Sequence, residues 1–150
     1  MADQGNWSGA APLYAQAEAW FRQSGDMRNE LYARFGRLHR DVESGAYRAV
    51  RGEVEKDLTS PAVAANPELK IRALSLLGNI DLNLNTAAAL DDWKQVLAMA
   101  TETRDEKWTN RAKGELGVLA GINGDTGAAA MALLSSISKA TALGDVAGHI

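Results

Sequence analysis

The sequence contains no cysteine, and its 150 residues include only two histidines, His39 and His149. The absence of cysteine excludes disulfide frameworks, thiol nucleophiles and thiolate metal sites. Two histidines leave almost nothing for histidine-based catalysis or for a histidine metal centre. We therefore expect neither a metal site nor a catalytic histidine in this chain.

Long apolar runs and a strong excess of one charge are also missing. No window approaches the roughly 18 consecutive apolar residues that span a bilayer. The start of the chain, from Met1 to Leu13, has neither the basic segment nor the continuous apolar stretch of a signal peptide. The net charge of −3 gives no strong field that would attract nucleic acid or an acidic membrane. These absences predict a soluble, cytoplasmic chain that binds neither membrane nor nucleic acid.

A run of arginines in the first half of the chain is the one feature that suggests nucleic acid. Acidic residues alternate with these arginines at spacings of three and four, so ion pairs on helix surfaces explain the run better. The basic residues are Arg34, Arg37, Arg40, Arg48 and Arg51, and the acidic ones are Glu30, Asp41, Glu43, Glu53 and Glu55.

Residues that favour turns recur at a nearly constant spacing along the whole chain. Glycine, asparagine, aspartate and proline stop helices and shape turns, and aspartate also suits the first position of the next helix. The turns fall at Gly5-Asn6, Gly25-Asp26, Gly45, Asn66-Pro67, Asn85-Thr86, Arg104-Asp105, Gly124-Asp125 and Gly144-Asp145. The spacing divides the chain into short segments of nearly equal length.

Between the turns the apolar residues follow a helical period, and no strand-like alternation of useful length is present. The segment 67–84 is apolar over so wide an arc that we expect it to be buried between neighbours. The fold class is therefore predicted to be all-α. Seven helices are predicted, near 8–23, 27–43, 46–58, 67–84, 87–103, 106–123 and 126–143.

Alternate helices resemble one another, so the repeating unit is a pair of helices. Three of the helices carry an apolar residue followed by glycine near the middle, at Gly36, Gly78 and Gly117. A glycine inside a helix costs about 1 kcal/mol relative to alanine. Its recurrence predicts that the partner helix approaches closely there. Stacked helix pairs of this kind bury a continuous core, and three or more are needed for stability.

The pairs Leu77-Gly78 and Leu116-Gly117, and the turn Gly124-Asp125 followed by Ala129 and Leu133, resemble the tetratricopeptide-repeat family. The unit is longer than the family's standard of about 34 residues, and is similar to a variant of about 40 residues in large bacterial regulatory proteins. The family usually has an aromatic residue three positions after this glycine. In this chain His39, Asp81 and Ala120 occupy that position. Another α-solenoid and a plain helical bundle remain alternative folds.

The resemblance implies a right-handed α–α superhelix of antiparallel helix pairs. We expect one domain over residues 1–150, with an unpaired leading helix at 8–23 and repeats at 27–65, 66–105 and 106–145. Neither end has the polar capping repeat of a finished solenoid. The chain is therefore expected to be a fragment of a longer array, and its uncapped ends suggest self-association.

Motifs for catalysis are absent: there is no P-loop, HExxH, GxSxG or GxGxxG. The glycine-rich stretch 121–127 has no following lysine and fits a turn between helices. The acidic pair Asp91-Asp92 has no partner base, and a solvated face is expected there. The chain is predicted not to be an enzyme and to need no cofactor.

In arrays of the resembled family the first helix of each pair lines a concave groove. This resemblance implies that the chain is a protein–protein interaction scaffold for a protein or peptide. The alternative is a regulatory or sensor array that controls an effector domain elsewhere in a larger bacterial protein. The candidate groove residues, which are expected to be exposed, are Glu30, Arg37, Arg40, Asp41, Arg72, Ser75, Asn79, Asn83 and Arg111.

Overall fold

A computed structural model describes residues 6–145, and this part of the chain contains only helices. The predicted turn at Gly5, the tail 146–150 and His149 lie outside the described residues. The eight helices are α1 Trp7–Ser24, α2 Met27–Glu43, α3 Tyr47–Leu58, α4 Pro61–Ala64, α5 Pro67–Leu84, α6 Thr86–Glu102, α7 Glu106–Ile122 and α8 Thr126–Leu143. The all-α fold class is confirmed.

Most helices begin where the sequence predicts turns, because a side chain there accepts from a free amide of the first turn. An exception is α3, whose cap residue Ala46 makes no such bond. Asp26 accepts a hydrogen bond from the amide of Asn29 at 3.1 Å, and Asp105 accepts one from Trp108 at 3.0 Å. At the other end of α1, Gly25 adopts φ = 74°, a left-handed conformation that glycine reaches without strain. The predicted breaks before α2, α5, α6, α7 and α8 are therefore confirmed as helix caps.

The prediction of seven helices misses α4, a single turn inside a segment expected to be a loop. Ser60 caps it by accepting from the amide of Val63 at 3.3 Å, and Pro61 occupies its first position. Proline is favoured there because that position needs no amide hydrogen. The fully buried Val63 then anchors the turn in the core against α5.

Helices pack mainly against neighbours in the chain, forming the pairs α1–α2, α5–α6 and α7–α8. Short turns join the members of each pair, so the two helices run antiparallel. Further contacts join successive pairs: α6 packs on α7, and α5 packs on α2, α3 and α7. The helices that open the three predicted repeats, α2, α5 and α7, lie side by side in chain order, although α2 packs mainly against α1 and only weakly against α3. We call α2, α5 and α7 the first helices.

Two apolar clusters form the core, and α5 contributes to both. The first cluster joins α2, α3, α4 and α5 around Phe35 and Leu76, and the second joins α5, α6 and α7 around Ile71, Trp93 and Leu119. Most of α5 is buried, as expected of a helix between neighbours on several sides. Within residues 6–145, no helix has both the length and the apolar character required to cross a bilayer.

Close helix approach at the mid-helix glycines is confirmed, but one glycine faces a different neighbour. A Cβ added at Gly78 would lie 2.5 Å from Trp93 of α6, and one at Gly117 would lie 2.6 Å from Ala132 of α8. A Cβ added at Gly36 would instead lie 2.5 Å from the ring of Tyr14 in the preceding helix, α1. Counted from the helix caps, Gly36 stands two positions earlier than the other two. Two positions turn a helix by about 200°, so Gly36 faces the opposite side.

Candidate functional site

The surface shared by α2, α5 and α7 carries an ordered row of arginine and aromatic side chains. Tyr32, Arg72 and Arg111 each stand six positions after the cap of their helix. The guanidinium carbon of Arg72 lies 4.1 Å from the centre of the Tyr32 ring. One guanidinium nitrogen of Arg72 also donates a 2.7 Å hydrogen bond to the Tyr32 hydroxyl. This pair links α2 to α5.

Trp108 of α7 extends the row between the two arginines. Its ring centre is 5.9 Å from the guanidinium of Arg72 and 5.1 Å from that of Arg111, within the range of cation–π attraction. Arg111 also forms a two-pronged ion pair with the buried carboxylate of Asp145, in which Nε and Oδ2 are 2.8 Å apart. We call Tyr32, Arg72, Trp108, Arg111 and Asp145 the arginine–aromatic row.

His39 of α2 lies beside this row and stacks on Trp7 of α1. The two ring centres are 4.2 Å apart and the ring planes are inclined by 13°. Removal of the imidazole from water, together with the positive charge of Arg72, lowers the pKa of His39 to about 4. His39 is therefore a neutral, stacked ring at neutral pH.

A cavity of about 30 Å³, the volume of about one water molecule, lies where these side chains meet. Its walls include Trp7, Tyr32, His39, Arg72 and Trp108. The Nε of Arg72 is buried and has no acceptor within residues 6–145. An unsatisfied buried donor costs on the order of 1–3 kcal/mol, so a water molecule or ligand atom that accepts from it would be stabilised.

Three predicted groove residues on α2 are engaged in ion pairs within the described chain. Glu30 accepts from Arg22 at 3.0 Å and from Arg34 at 2.7 Å. Arg37 lies 3.2 Å from Asp41 in the same helix. Arg40, in contrast, is half-buried and makes no ion pair or side-chain hydrogen bond within residues 6–145. Arg40 is thus the α2 candidate whose charge is available.

The predicted groove residues of α5 differ in how far they are buried. The expectation that Ser75 is exposed is wrong: it is 3% exposed, and its hydroxyl donates to the carbonyl of Arg72 at 2.9 Å. Ser75 is covered because it lies on the part of α5 that meets the neighbouring first helices, although it still borders the small cavity. Asn79 is half-buried and Asn83 is exposed, and Asn83 donates to the backbone carbonyl of Asn79 at 3.3 Å.

An ionic cluster centred on Glu18 goes beyond what the sequence predicts. This carboxylate of α1 is buried and accepts from Arg34 at 3.0 Å and from Arg37 at 2.9 Å, both on α2. Arg34 also reaches Asp57 of α3 at 2.8 Å. Sequence spacing predicts the pairs within one helix, and Arg34–Glu30 confirms one of them. It carries no signal for partners on other helices.

A second ionic cluster lies where α3, α5 and α6 meet. Arg51 of α3 is 3.0 Å from the buried Asp81 of α5. Burial and the neighbouring charge of Asp81 raise the pKa of Asp92 to about 6. Of the acidic pair expected on a solvated face, Asp91 is exposed and Asp92 is half-buried. Among residues 6–145, no group of three or more histidine, cysteine, aspartate or glutamate side chains is arranged to hold a metal ion.

Comparison with known proteins assigns neither a family nor a function to this chain. No protein-family model matches the chain, and no curated protein matches it significantly. The family suggested by the mid-helix glycines is therefore a proposal, and so is any function. Both have to follow from the side chains of the arginine–aromatic row and from their neighbours.

The low pKa of His39 has a direct test in an NMR titration of the imidazole protons. We expect the imidazole signal of His39 to titrate near pH 4. Trp7→Ala removes the stacked ring, so the midpoint of His39 should move up towards 6.5. Equal midpoints in the wild type and the variant would contradict the stacked, water-poor site.

Proposed function

We propose that this chain is a protein-interaction scaffold that binds a peptide or protein segment along the surface formed by α2, α5 and α7. We further propose that its helix pairs stack as a right-handed superhelix of the tetratricopeptide type. The side-by-side order of the three first helices supports both parts, because it aligns equivalent positions of successive pairs into one continuous surface.

The observation that carries the proposal is the arginine–aromatic row. Its guanidinium groups are held by stacking and ion pairs across α2, α5 and α7. Side chains that are ordered before binding lose less conformational entropy when a partner arrives. Aromatic and arginine side chains are also enriched at the residues that contribute most to binding energy. The row therefore has the composition and rigidity of an interaction surface.

Three unpaired polar side chains lie on the same three helices as the row and supply binding chemistry. Arg40, Asn79 and Glu115 are half-buried, and none makes a side-chain hydrogen bond or ion pair within residues 6–145. Burial raises the pKa of Glu115. An asparagine amide can bond to both groups of a peptide backbone, and an arginine grips a carboxylate with two hydrogen bonds. An extended peptide with an acidic side chain matches this set.

Selection of peptides from a random library on the immobilised chain would test this proposal. Selected peptides should lose about tenfold or more in affinity for the double variant Arg40→Ala/Asn79→Ala, since loss of one charge-assisted bond costs about 1.5–3 kcal/mol. Isothermal titration calorimetry measures the change. Neither side chain makes a hydrogen bond or ion pair within residues 6–145, so the variant should remain folded.

The matched control is Lys94→Ala/Gln95→Ala, which alters two exposed residues of α6. We expect this variant to bind the selected peptides with unchanged affinity. If the α6 variant lost affinity and the Arg40/Asn79 variant kept it, the binding surface would lie on the second helices and the proposal would be overturned.

A further inference from the structure

An open cleft of about 310 Å³ lies between α7 and α8. The apolar part of its wall consists of one leucine and four small residues: Leu116, Gly117 and Ala120 of α7, and Ala128 and Ala132 of α8. None of the residues that line the cleft belongs to the arginine–aromatic row. The cleft is therefore separate from the side chains on which the proposed peptide binding depends.

The cleft exists because two side chains of this helix pair are short. Counted from the helix caps, Ala120 of α7 corresponds to Asp81 of α5, and Ala132 of α8 corresponds to Asp92 of α6. Asp81 is buried and accepts a hydrogen bond from Arg51 of α3 at 3.0 Å. Where the pair α5–α6 has two carboxylates, the pair α7–α8 has two methyl groups, and the space between its helices stays open.

Asn110 gives one part of the cleft wall unused hydrogen-bonding capacity. It is 5% exposed, its Nδ2 donates to the carbonyl of Ser136 at 2.9 Å, and the Ser136 hydroxyl donates to the carbonyl of Asn110 at 3.2 Å. An asparagine amide has two donor hydrogens and one acceptor oxygen. Within residues 6–145 only one of these hydrogens is used, so a buried amide in the wall can still bond to a ligand.

Lys113 is the one charged residue among those that line the cleft. It is exposed and makes no ion pair or side-chain hydrogen bond within residues 6–145. It stands three positions after Asn110, so the two side chains lie on the same face of α7, one turn apart. A carboxylate bound there would accept from both side chains, whereas an ammonium group would meet a like charge.

The volume of the cleft restricts the size of its ligand. An enclosed cavity of about 150 Å³ holds one benzene molecule, and ligand sites in proteins begin at about 300 Å³. We propose that the cleft binds a small molecule that has an apolar body and one carboxylate group. The body contacts Leu116 and the alanines, where it is removed from water, and the carboxylate is oriented by Asn110 and Lys113.

Hexanoate is a suitable probe, and NMR of the backbone amides of the whole chain detects its binding. We expect the signals of Gly117, Ala120 and Ala132 to shift saturably as hexanoate is added. Hexanol and hexylammonium have the same body without the negative charge, and both should bind about fivefold more weakly, which corresponds to about 1 kcal/mol for an exposed charge contact. The proposal is wrong if hexanoate gives no saturable shift, or if hexylammonium binds as tightly.

Substitutions in the cleft locate the bound molecule. Lys113→Gln should weaken hexanoate by the same factor of about five and leave hexanol unchanged, because only the charge contact is lost. Ala128→Leu fills the cleft and should abolish the saturable shifts with both compounds. If hexanoate bound equally well to Ala128→Leu, the ligand would lie elsewhere and the proposal would be overturned.

Ala130→Leu is the matched control, since Ala130 is an exposed alanine of α8 that does not line the cleft. This variant should bind hexanoate as the wild type does. Ala128 and Lys113 are exposed as well, so circular dichroism should show all three variants to be folded. None of the variants alters the arginine–aromatic row, so neither outcome bears on peptide binding at α2, α5 and α7.

Discussion

Replacing Glu18 by leucine will lower the free energy of unfolding, as measured by urea denaturation, by about 3 kcal/mol or more. Glu18 is 7% exposed and is the common acceptor of Arg34 and Arg37, which also hold α2 against α1. Removing one partner of a buried ion pair typically costs about 3–5 kcal/mol, because the remaining charges stay partly desolvated. The loss should therefore be among the largest for any single substitution in the chain.

Glu68→Leu is the matched control for this prediction. Glu68 also pairs with an arginine across helices, Arg28 at 3.4 Å, and with Arg72 of its own helix at 3.5 Å, but its own side chain is 46% exposed. Exposed ion pairs contribute at most about 1 kcal/mol, so this change should be nearly neutral. Equal losses for Glu18→Leu and Glu68→Leu would show that burial of the Glu18 cluster does not determine its contribution.

Acid unfolding provides a second measurement of the Glu18 cluster. Burial alone would raise the pKa of Glu18, but hydrogen bonds from Arg37 and Arg34 outweigh it and hold the pKa below 4.5. The unfolded chain therefore binds more protons at this group, and its contribution to stability is lost as the pH falls below 4.5. The stability of Glu18→Leu should fall less steeply than that of the wild type in this range.

Gly78→Val is expected to destabilise the chain by about 3 kcal/mol in the same denaturation assay. A Cβ at this position would lie 2.5 Å from the indole nitrogen of Trp93 and 2.8 Å from its Cδ1. The indole is buried and cannot swing into solvent, so α6 must move away from α5. Overpacking of a core typically costs about 1–3 kcal/mol, and valine adds two further methyl groups to the clash.

Gly52→Ala is the control that separates packing from helix propensity. Gly52 lies within α3, is exposed, and has no atom within 4 Å of an added Cβ. Alanine should stabilise α3 there by up to about 1 kcal/mol, because it favours the helix more than glycine does. A stabilising Gly78→Val would contradict the close approach of α5 and α6.

The positions of the helices can be predicted from the sequence because their causes are local. Asp26, Asn66, Asp105 and Asp125 each accept from an amide three positions later, so every cap and its partner lie in one short segment. The one-turn helix α4 escapes this prediction because its stability depends on burying Val63 against α5. That contact cannot be inferred from the residues around Ser60 alone.

The candidate site is predicted less completely, since it depends on which helices become neighbours. Arg72 and Arg111 are among the predicted groove residues, and both belong to the row. The sequence indicates only a packing role for the aromatic partners Tyr32 and Trp108, and it does not predict the stacking of Trp7 on His39. Most of these contacts join side chains on different helices, and no local pattern encodes them.

By itself the sequence determined the helical class, the evenly spaced breaks between helices and the presence of glycines for close packing. Hydrogen bonds and apolar periodicity within short segments are sufficient to specify these features. Only the tertiary structure decided that α1 packs on Gly36 whereas α6 packs on Gly78. It also decided that Ser75 is buried, and that Glu18 accepts hydrogen bonds from both Arg34 and Arg37. These outcomes depend on the rotation of each helix relative to its neighbours, which is set by the packing of all the helices together.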